Sequence, residues 1–154
     1  MCLYMWRKSV TLHHGMRTKT VNNKEQVFCA WRRRFVRLTP EEWVRQQVLE
    51  SLETQCGYPH SLIAVEVPIK VAGLQKRCDA IVYNAAMQPL MLLEFKADTV
   101  PLTQRVLDQA AVYNRQLHVP YLVLSNGAQT VIARVLQNQY EYLNQIPLWS
   151  QLSN

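Results

Sequence analysis

The sequence has little of what marks a secreted, zinc-binding or membrane-spanning protein. Its four cysteines are scattered, without a Cys-x-x-Cys pair or a histidine spacing suited to zinc, so we predict reduced thiols rather than a disulfide framework. No apolar run approaches the roughly 20 residues that span a bilayer, and no apolar segment follows Arg7-Lys8 as it would in a signal peptide. We therefore expect a soluble, cytoplasmic protein with no membrane partner.

Charged residues are also scarce, at 18% of the 154 residues, whereas 49% of the residues are hydrophobic. This balance is typical of a globular chain rather than a disordered one. The length suits one domain with a sizeable core, and the sequence contains no repeats, low-complexity segments or linker. We therefore predict a single globular domain overall.

Positive charge is concentrated near the start of the chain. Residues 1–37 hold nine Lys or Arg and one acid, Glu25, for a net charge of +8, whereas the remainder carries −2. Such an arm favours a polyanionic partner, with DNA as the first expectation and a merely solubilising face as the alternative. We predict a basic arm over residues 1–37, which could include a strand hairpin, and a globular domain over residues 38–154. The arginines expected to contact nucleic acid are Arg32, Arg33, Arg34, Arg37, Arg45 and Arg105.

The chain is organised around two segments rich in β-forming residues, 77–83 and 90–96, with a turn between them. If they pair antiparallel about the centre of that turn, Asp79 lies opposite Glu94 at a Cβ distance of roughly 4.5–5.5 Å, where like charges are destabilising. Lys96 follows Glu94 by two residues and shares its face of the strand. This grouping favours a divalent-cation site with a group that orients water; exposed hairpin charges with a surface salt bridge are the alternative.

Two helices are predicted on either side of this hairpin. The first begins at Thr39, with Pro40 at the first helical position and Glu42 completing a capping box, so Glu42 serves either the cap or the site. In the second, Gln109 and Tyr113 lie one turn apart on the same side. The order α, β, β, β, α, β, β indicates an α/β fold with a mixed sheet of four to five strands flanked by helices. The remaining predicted elements are strands 62–70, 120–125 and 130–135 and helix 103–117.

Asp79, followed after fourteen residues by Glu94-Phe95-Lys96, resembles the pattern of the PD-(D/E)xK nuclease superfamily. The pair Gln109-x-x-x-Tyr113 resembles the Gln-x-x-x-Tyr motif that follows the catalytic strand in type I restriction enzyme R subunits. The segment 39–46 and Asn126-Gly127 are similar to the N-terminal nuclease domain of those subunits, as found in short bacterial proteins. The resemblance covers about residues 30–135.

The sequence departs from this pattern in two places. Cys78 stands where the superfamily name has proline, a position that varies among its members. The chain contains no Gly-x-x-x-x-Gly-Lys loop, so ATP-coupled cleavage is not predicted for this polypeptide alone.

The resemblance implies a restriction-endonuclease-like core and hydrolysis of DNA phosphodiester bonds that depends on Mg²⁺ or Mn²⁺. Asp79, Glu94 and the backbone carbonyl of Phe95 would hold the ion. Lys96 would orient the attacking water or help to deprotonate it. Expected partners are DNA, a second copy in a homodimer, and partner proteins of a restriction system.

Three further site residues are implied by the resemblance. Gln109 would position Lys96 or the phosphate, and Tyr113 would support the same face of the helix. Glu42 would hold a second ion or its water shell. Two other functions stay open: a catalytically silent nuclease-fold module that binds nucleic acid or a protein, and a small RNase or transposition accessory that uses the same site.

Overall fold

The computed structural model describes residues 16–137 and 139–152, so the first part of the predicted basic arm lies outside the described residues. The described part forms a three-stranded sheet, a six-stranded sheet and three α-helices. The elements are β1 Thr18–Val21, β2 Lys24–Cys29, β3 Arg34–Arg37, α1 Pro40–Thr54, a 3₁₀ turn His60–Leu62, β4 Ile63–Val71, β5 Leu74–Tyr83, β6 Pro89–Phe95, α2 Gln104–Leu117, β7 Tyr121–Ser125, β8 Thr130–Leu136, β9 Gln139–Leu143 and α3 Trp149–Leu152.

The six-stranded sheet has the order β4-β5-β6-β7-β8-β9. Strands β6 and β7 run parallel, and the other neighbours run antiparallel. The predicted mixed sheet flanked by helices is confirmed. The sheet has more strands than expected because β9, a short and mostly exposed strand, pairs with β8 at one edge.

Helices α1 and α2 cover opposite faces of this sheet. Alternate residues of the central strand β6 divide between them: Leu93 packs in the cluster that contains Leu49 of α1, and Leu92 packs in the cluster that contains Leu107 of α2. A strand buried on both faces explains the continuous apolar run of β6. The predicted start of α1 is confirmed, because the Thr39 hydroxyl caps the helix by accepting the Glu42 N–H at 3.1 Å.

The central hairpin has the predicted register. Ala80 pairs with Leu93, and Ile81 pairs with Leu92, so continuing the ladder by one residue brings Asp79 to Glu94. The turn is one residue shorter than expected because β6 begins at Pro89, and a bulge after Val82 absorbs the difference.

Strands β1, β2 and β3 form a separate antiparallel sheet before α1. Asn22 and Asn23 both have positive φ, as in the type I′ turn that joins tightly paired strands. One face of this sheet buries Val27 and Cys29. Nearby, Trp31 packs against the α1-side cluster and stacks on His60 at a ring distance of 5.1 Å.

The described cysteines Cys29, Cys56 and Cys78 are free thiols. Burial raises the pKa of Cys78 to about 12, with Glu94 and Asp79 adding to the effect, so this thiol stays protonated beside the acidic pair. None of the helices in residues 16–137 and 139–152 combines the length and apolarity that a bilayer span requires.

Candidate active site

Asp79 and Glu94 meet where β5 and β6 end side by side. The Asp79 N–H donates to Oε1 of Glu94 at 3.3 Å, and the Phe95 N–H donates to Oδ2 of Asp79 at 2.7 Å. Each carboxylate is therefore held by a backbone N–H of the neighbouring strand. The predicted juxtaposition of these acids follows directly from the hairpin register.

Glu94 is only 4% exposed. Burial raises the pKa of Glu94 to about 8, and the neighbouring charge of Asp79 adds to the effect. The Asp79 N–H and the charge of Lys96 oppose this rise. A buried carboxyl that resists ionisation next to another acid is typical of a functional site, because a cation there would stabilise both charges.

The raised pKa of Glu94 predicts that the metal-free protein loses stability as pH rises from 4.5 to about 8. In this window the folded state retains a proton that the unfolded state has released, so the free energy of unfolding falls by at most about 1.4 kcal/mol per pH unit. We expect urea unfolding in EDTA to show this fall. Glu94→Gln, which cannot titrate, should lack it, and parallel pH profiles for the two proteins would contradict the prediction.

Arg45 links α1 to this acidic pair. Its Nη2 donates to Oδ1 of Asp79 at 2.9 Å and to Oε1 of Glu41 at 3.3 Å. Burial lowers the pKa of the Arg45 guanidinium, but Asp79 and Glu42 outweigh burial and raise it above its ordinary value. Asp79 thus already has one permanent positive charge beside it.

Glu42 is the centre of a buried ion network behind Arg45. Arg32 Nη2 lies 2.7 Å from both Glu42 carboxylate oxygens, Gln46 Nε2 donates to Oε1 at 2.7 Å, and Arg45 Nη1 donates to Oε2. This contradicts the predicted capping box. The Glu42 backbone N–H does meet the Thr39 side chain, but the Glu42 carboxylate is committed to the arginines.

Lys96 follows the last residue of β6. Its backbone N–H donates to the Ser125 carbonyl at 2.9 Å, which fixes the chain as it leaves the sheet. The side chain is half-buried, and its charge lowers the pKa of both Glu41 and Glu94 against the larger effect of burial. Lys96 therefore lies within electrostatic reach of the acids on both α1 and β6.

Gln109 and Tyr113 form the predicted pair on α2, since Gln109 Nε2 donates to the Tyr113 hydroxyl at 3.2 Å. Gln109 is exposed, and Tyr113 is buried in the α2-side cluster. Within residues 16–137 and 139–152, no hydrogen bond joins either side chain to Asp79, Glu94 or Lys96. The structure brings this pair together but leaves it without a direct contact to the acids.

The six predicted nucleic-acid contacts divide into two groups. Arg32 and Arg45 are largely buried, at 11% and 7% side-chain exposure, and are committed to carboxylates. Little of either side chain is left to meet a phosphate. The other four are exposed: Arg33, Arg34, Arg37 and Arg105.

Three residues near the acidic pair were not predicted from the sequence. Burial and the charge of Asp79 raise the pKa of Glu41. Gln46 lies one turn after Glu42 and binds it, a spacing that could have been found. Glu66 is opposite Asp79 on β4, where the pairing skips one residue pair and Glu66 has a φ of 53°; no sequence pattern marks that strained backbone.

The donor set suits a hard divalent cation. Asp79 and Glu94 supply carboxylate oxygens, and each such oxygen can accept more than one bond. Mg²⁺ commonly uses one or two protein carboxylates and retains several waters. Among the described residues, no three His, Cys, Asp or Glu side chains are grouped so as to hold a metal ion by themselves. The pair therefore suits a Mg²⁺ ion that keeps several of its water ligands better than an ion whose ligands all come from the protein.

Comparison with known proteins gives a family and a fold. The family described as the type I restriction enzyme R protein N terminus matches residues 40–147. A solved fragment described as an HsdR subunit of a type I restriction enzyme from Vibrio vulnificus is 18% identical, with a TM-score of 0.57; the match covers 75% of this chain and 24% of that chain. At this identity the likeness shows a shared fold, and this chain spans about a quarter of the neighbour. No curated protein matches the chain.

Proposed function

Because this chain belongs to the family of type I restriction enzyme R protein N termini, we propose that it is a metal-dependent endonuclease that hydrolyses DNA phosphodiester bonds. It would act as an R-subunit-like nuclease domain. The observation that carries the proposal is the contact between Asp79 and Glu94 on adjacent strands, with Lys96 two residues after Glu94. This arrangement resembles the Asp…Glu-x-Lys pattern of the PD-(D/E)xK nucleases, which supports the proposal.

We assign the metal to Asp79, Glu94 and the backbone carbonyl of Phe95. When bound, Mg²⁺ or Mn²⁺ polarises the scissile phosphate and lowers the pKa of a coordinated water. Glu94 must release its proton to become a ligand, so its raised pKa makes metal affinity depend on pH. The Phe95 N–H holds Asp79 through Oδ2 at 2.7 Å, which limits the rotation of that carboxylate.

Lys96 would act on the water and on the phosphate. The half-buried Lys96 would orient the attacking water as an ammonium, or accept the water's proton as a neutral amine. As an ammonium it would also offset the negative charge of the transition state. Its position is supported by the backbone bond to Ser125. Gln109 would hold the phosphate or Lys96 from α2, with Tyr113 fixing the Gln109 amide.

Glu42 would serve as a positioning residue rather than as a ligand. Its carboxylate orients Arg45, which in turn holds Oδ1 of Asp79. A residue that acts in this way sets the direction of a ligand without touching the substrate. This role replaces the direct contact with a second ion that the resemblance implied.

A nuclease fold that binds nucleic acid or a protein without turnover is the second candidate. The specific observation that favours it is the Arg45 guanidinium, which occupies one side of Asp79 as a built-in counterion. If Arg45 stays there when metal is present, it neutralises part of the negative charge with which Asp79 would bind the metal ion. The two candidates differ in whether cleavage occurs, so one assay separates them.

The assay is nicking of supercoiled plasmid with Mg²⁺, Mn²⁺ or EDTA. We expect cleavage that requires the divalent ion and disappears in Asp79→Asn, because the substitution removes one ligand charge while keeping the side-chain shape. Single- and double-stranded DNA and RNA tested in parallel define the substrate and test the RNase alternative. Binding of DNA without cleavage under every metal condition would favour the silent module.

We also propose partners and a location from the family. A restriction system would supply DNA and partner subunits, and a second copy of this chain is a further candidate. The site of action would be the cytoplasm. Sedimentation with and without duplex DNA would determine whether the chain is a monomer or a dimer on its substrate.

A further inference from the structure

We propose that the outer face of the three-stranded sheet docks the phosphate backbone of double-stranded DNA. This face lies in residues 16–37, outside the range shared with the family. The inference deepens the proposed function and rests on it for the choice of DNA as the polyanion. We call the surface the basic face; its residues are Arg17, Lys19, Lys24, Phe28, Phe35 and Arg37.

The strand register places these side chains together. Gln26 of β2 pairs with Lys19 of β1 on one side and with Arg37 of β3 on the other. Directly opposed residues of antiparallel strands project to the same face, and residues two apart on a strand do so as well. Lys24, two residues before Gln26, therefore joins the same face. Lys19, Gln26 and Arg37 thus form a row across the three strands with a cation at each end, and Lys24 lies beside this row.

Two cations of the basic face, Arg17 and Lys19, lie over aromatic rings. Phe28 pairs with Phe35, and the rings meet edge to face with centroids 5.4 Å apart. The Arg17 guanidinium lies 4.3 Å from the centroid of Phe28, and Lys19 Nζ lies 4.0 Å from that of Phe35. Cation–π contacts of this kind restrict where a charge can be. Arg17 and Lys19 are thus held at defined positions on the face.

The charge of the basic face is uncompensated. Within residues 16–137 and 139–152, none of its four cations has an ion-pair partner. The one acid of the sheet, Glu25, lies between Lys24 and Gln26 along β2 and so projects to the opposite face. By contrast, Arg32 is committed to Glu42. An exposed group of cations without acids is complementary to a phosphate backbone.

The aromatic residues favour a duplex over a single strand. Proteins that grip single strands stack bases on free aromatic rings. Here Phe28 and Phe35 are half-buried, and Arg17 and Lys19 already lie over them. The cations are left to meet phosphates, which fixes the protein on the duplex without reading sequence.

The test compares two charge-matched double variants of the full chain. Lys19→Gln with Arg37→Gln removes two cations of the basic face, and Lys70→Gln with Arg134→Gln removes two exposed cations elsewhere. Binding of a short fluorescent duplex is measured by anisotropy in EDTA over a range of salt. We expect only the first variant to show a change. The slope of log K against log salt should become less negative by about 2, and Kd should rise roughly 10–100-fold at moderate salt.

Lys19→Arg with Arg37→Lys keeps both charges and should retain the wild-type slope. The proposal is overturned if the Gln variants of the two sites behave alike, or if single-stranded DNA or vesicles of anionic phospholipid bind as tightly as the duplex. Because EDTA prevents turnover, binding is read separately from cleavage. If the protein does not cleave DNA but Lys19→Gln with Arg37→Gln weakens the salt dependence of DNA binding as expected, the proposed function is refuted and this inference stands.

Discussion

Replacing Lys96 by alanine is expected to reduce metal-dependent nicking of plasmid DNA by about 10²–10⁴-fold, the usual contribution of a positioned acid–base group. The charge of Lys96 acts on the acids of both α1 and β6, so the substitution removes a positive charge that acts on Glu94, a proposed metal ligand. The affinity for duplex DNA in EDTA should stay close to that of the parent, because the basic face is unchanged. Single-turnover cleavage with Mg²⁺ measures the effect.

Lys76→Ala is the matched control, since Lys76 is an exposed lysine on β5. It should cleave at the parental rate. Lys96→Arg keeps the charge but changes the shape and the donor geometry of the head group, so we expect partial activity. If Lys96→Ala cleaved at the parental rate, the nicking would have to come from another site or from a contaminant.

Glu42→Ala is expected to destabilise the protein by about 3–5 kcal/mol, because it leaves two buried arginines without their shared carboxylate. Arg32, Arg45 and Gln46 all bind Glu42 directly. Urea unfolding at neutral pH, with the slope of the transition checked for constancy, measures the change. Glu42→Ala should also change the affinity for the metal ion, because Arg45, which Glu42 orients, holds the proposed ligand Asp79.

The control for this prediction is Glu50→Ala on the same helix. Glu50 is exposed, and its side chain has no ion pair among the described residues, so the change should stay within about 0.5 kcal/mol. A double variant that also changes Arg45 to Met should lose less than the sum of the two single losses, because the same network is removed once. Equal losses for Glu42→Ala and Glu50→Ala would show that the network contributes nothing to stability.

The fold was predictable from the sequence where local chemistry decides it. Thr39 and Pro40 mark the start of α1 because a capping hydroxyl and a fixed φ favour that position. The predicted register of the central hairpin brings Asp79 to Glu94, with the bulge after Val82 offsetting the shorter turn. The site therefore follows from the pairing of two adjacent strands.

The surroundings of the site were not predictable in the same way. The sequence presents Arg32 as one of three consecutive arginines, yet the fold buries it against Glu42 and leaves Arg33 and Arg34 exposed. Which of the three arginines is buried depends on how β3 and α1 pack, and no local sequence pattern predicts that packing. The strained Glu66 likewise owes its conformation to tertiary pairing rather than to propensity.

The site has its particular chemical character because it combines a buried acid with a second acid and a buried arginine counterion. Burial raises the pKa of Glu94 to about 8, whereas Asp79 is already bonded to Arg45. Metal binding and proton release should therefore be coupled, with tighter binding at higher pH. The proposed metal-ligand pair thus carries a proton whose loss a bound cation would drive.

The most direct test of the account is a crystal structure of the protein soaked with Mn²⁺ and recorded at the manganese edge. We predict an anomalous peak between Asp79 and Glu94, within coordination distance of a carboxylate oxygen of each, that is absent from Asp79→Asn crystals treated identically. No peak at that position under saturating Mn²⁺, or a peak that persists in Asp79→Asn, would contradict the account.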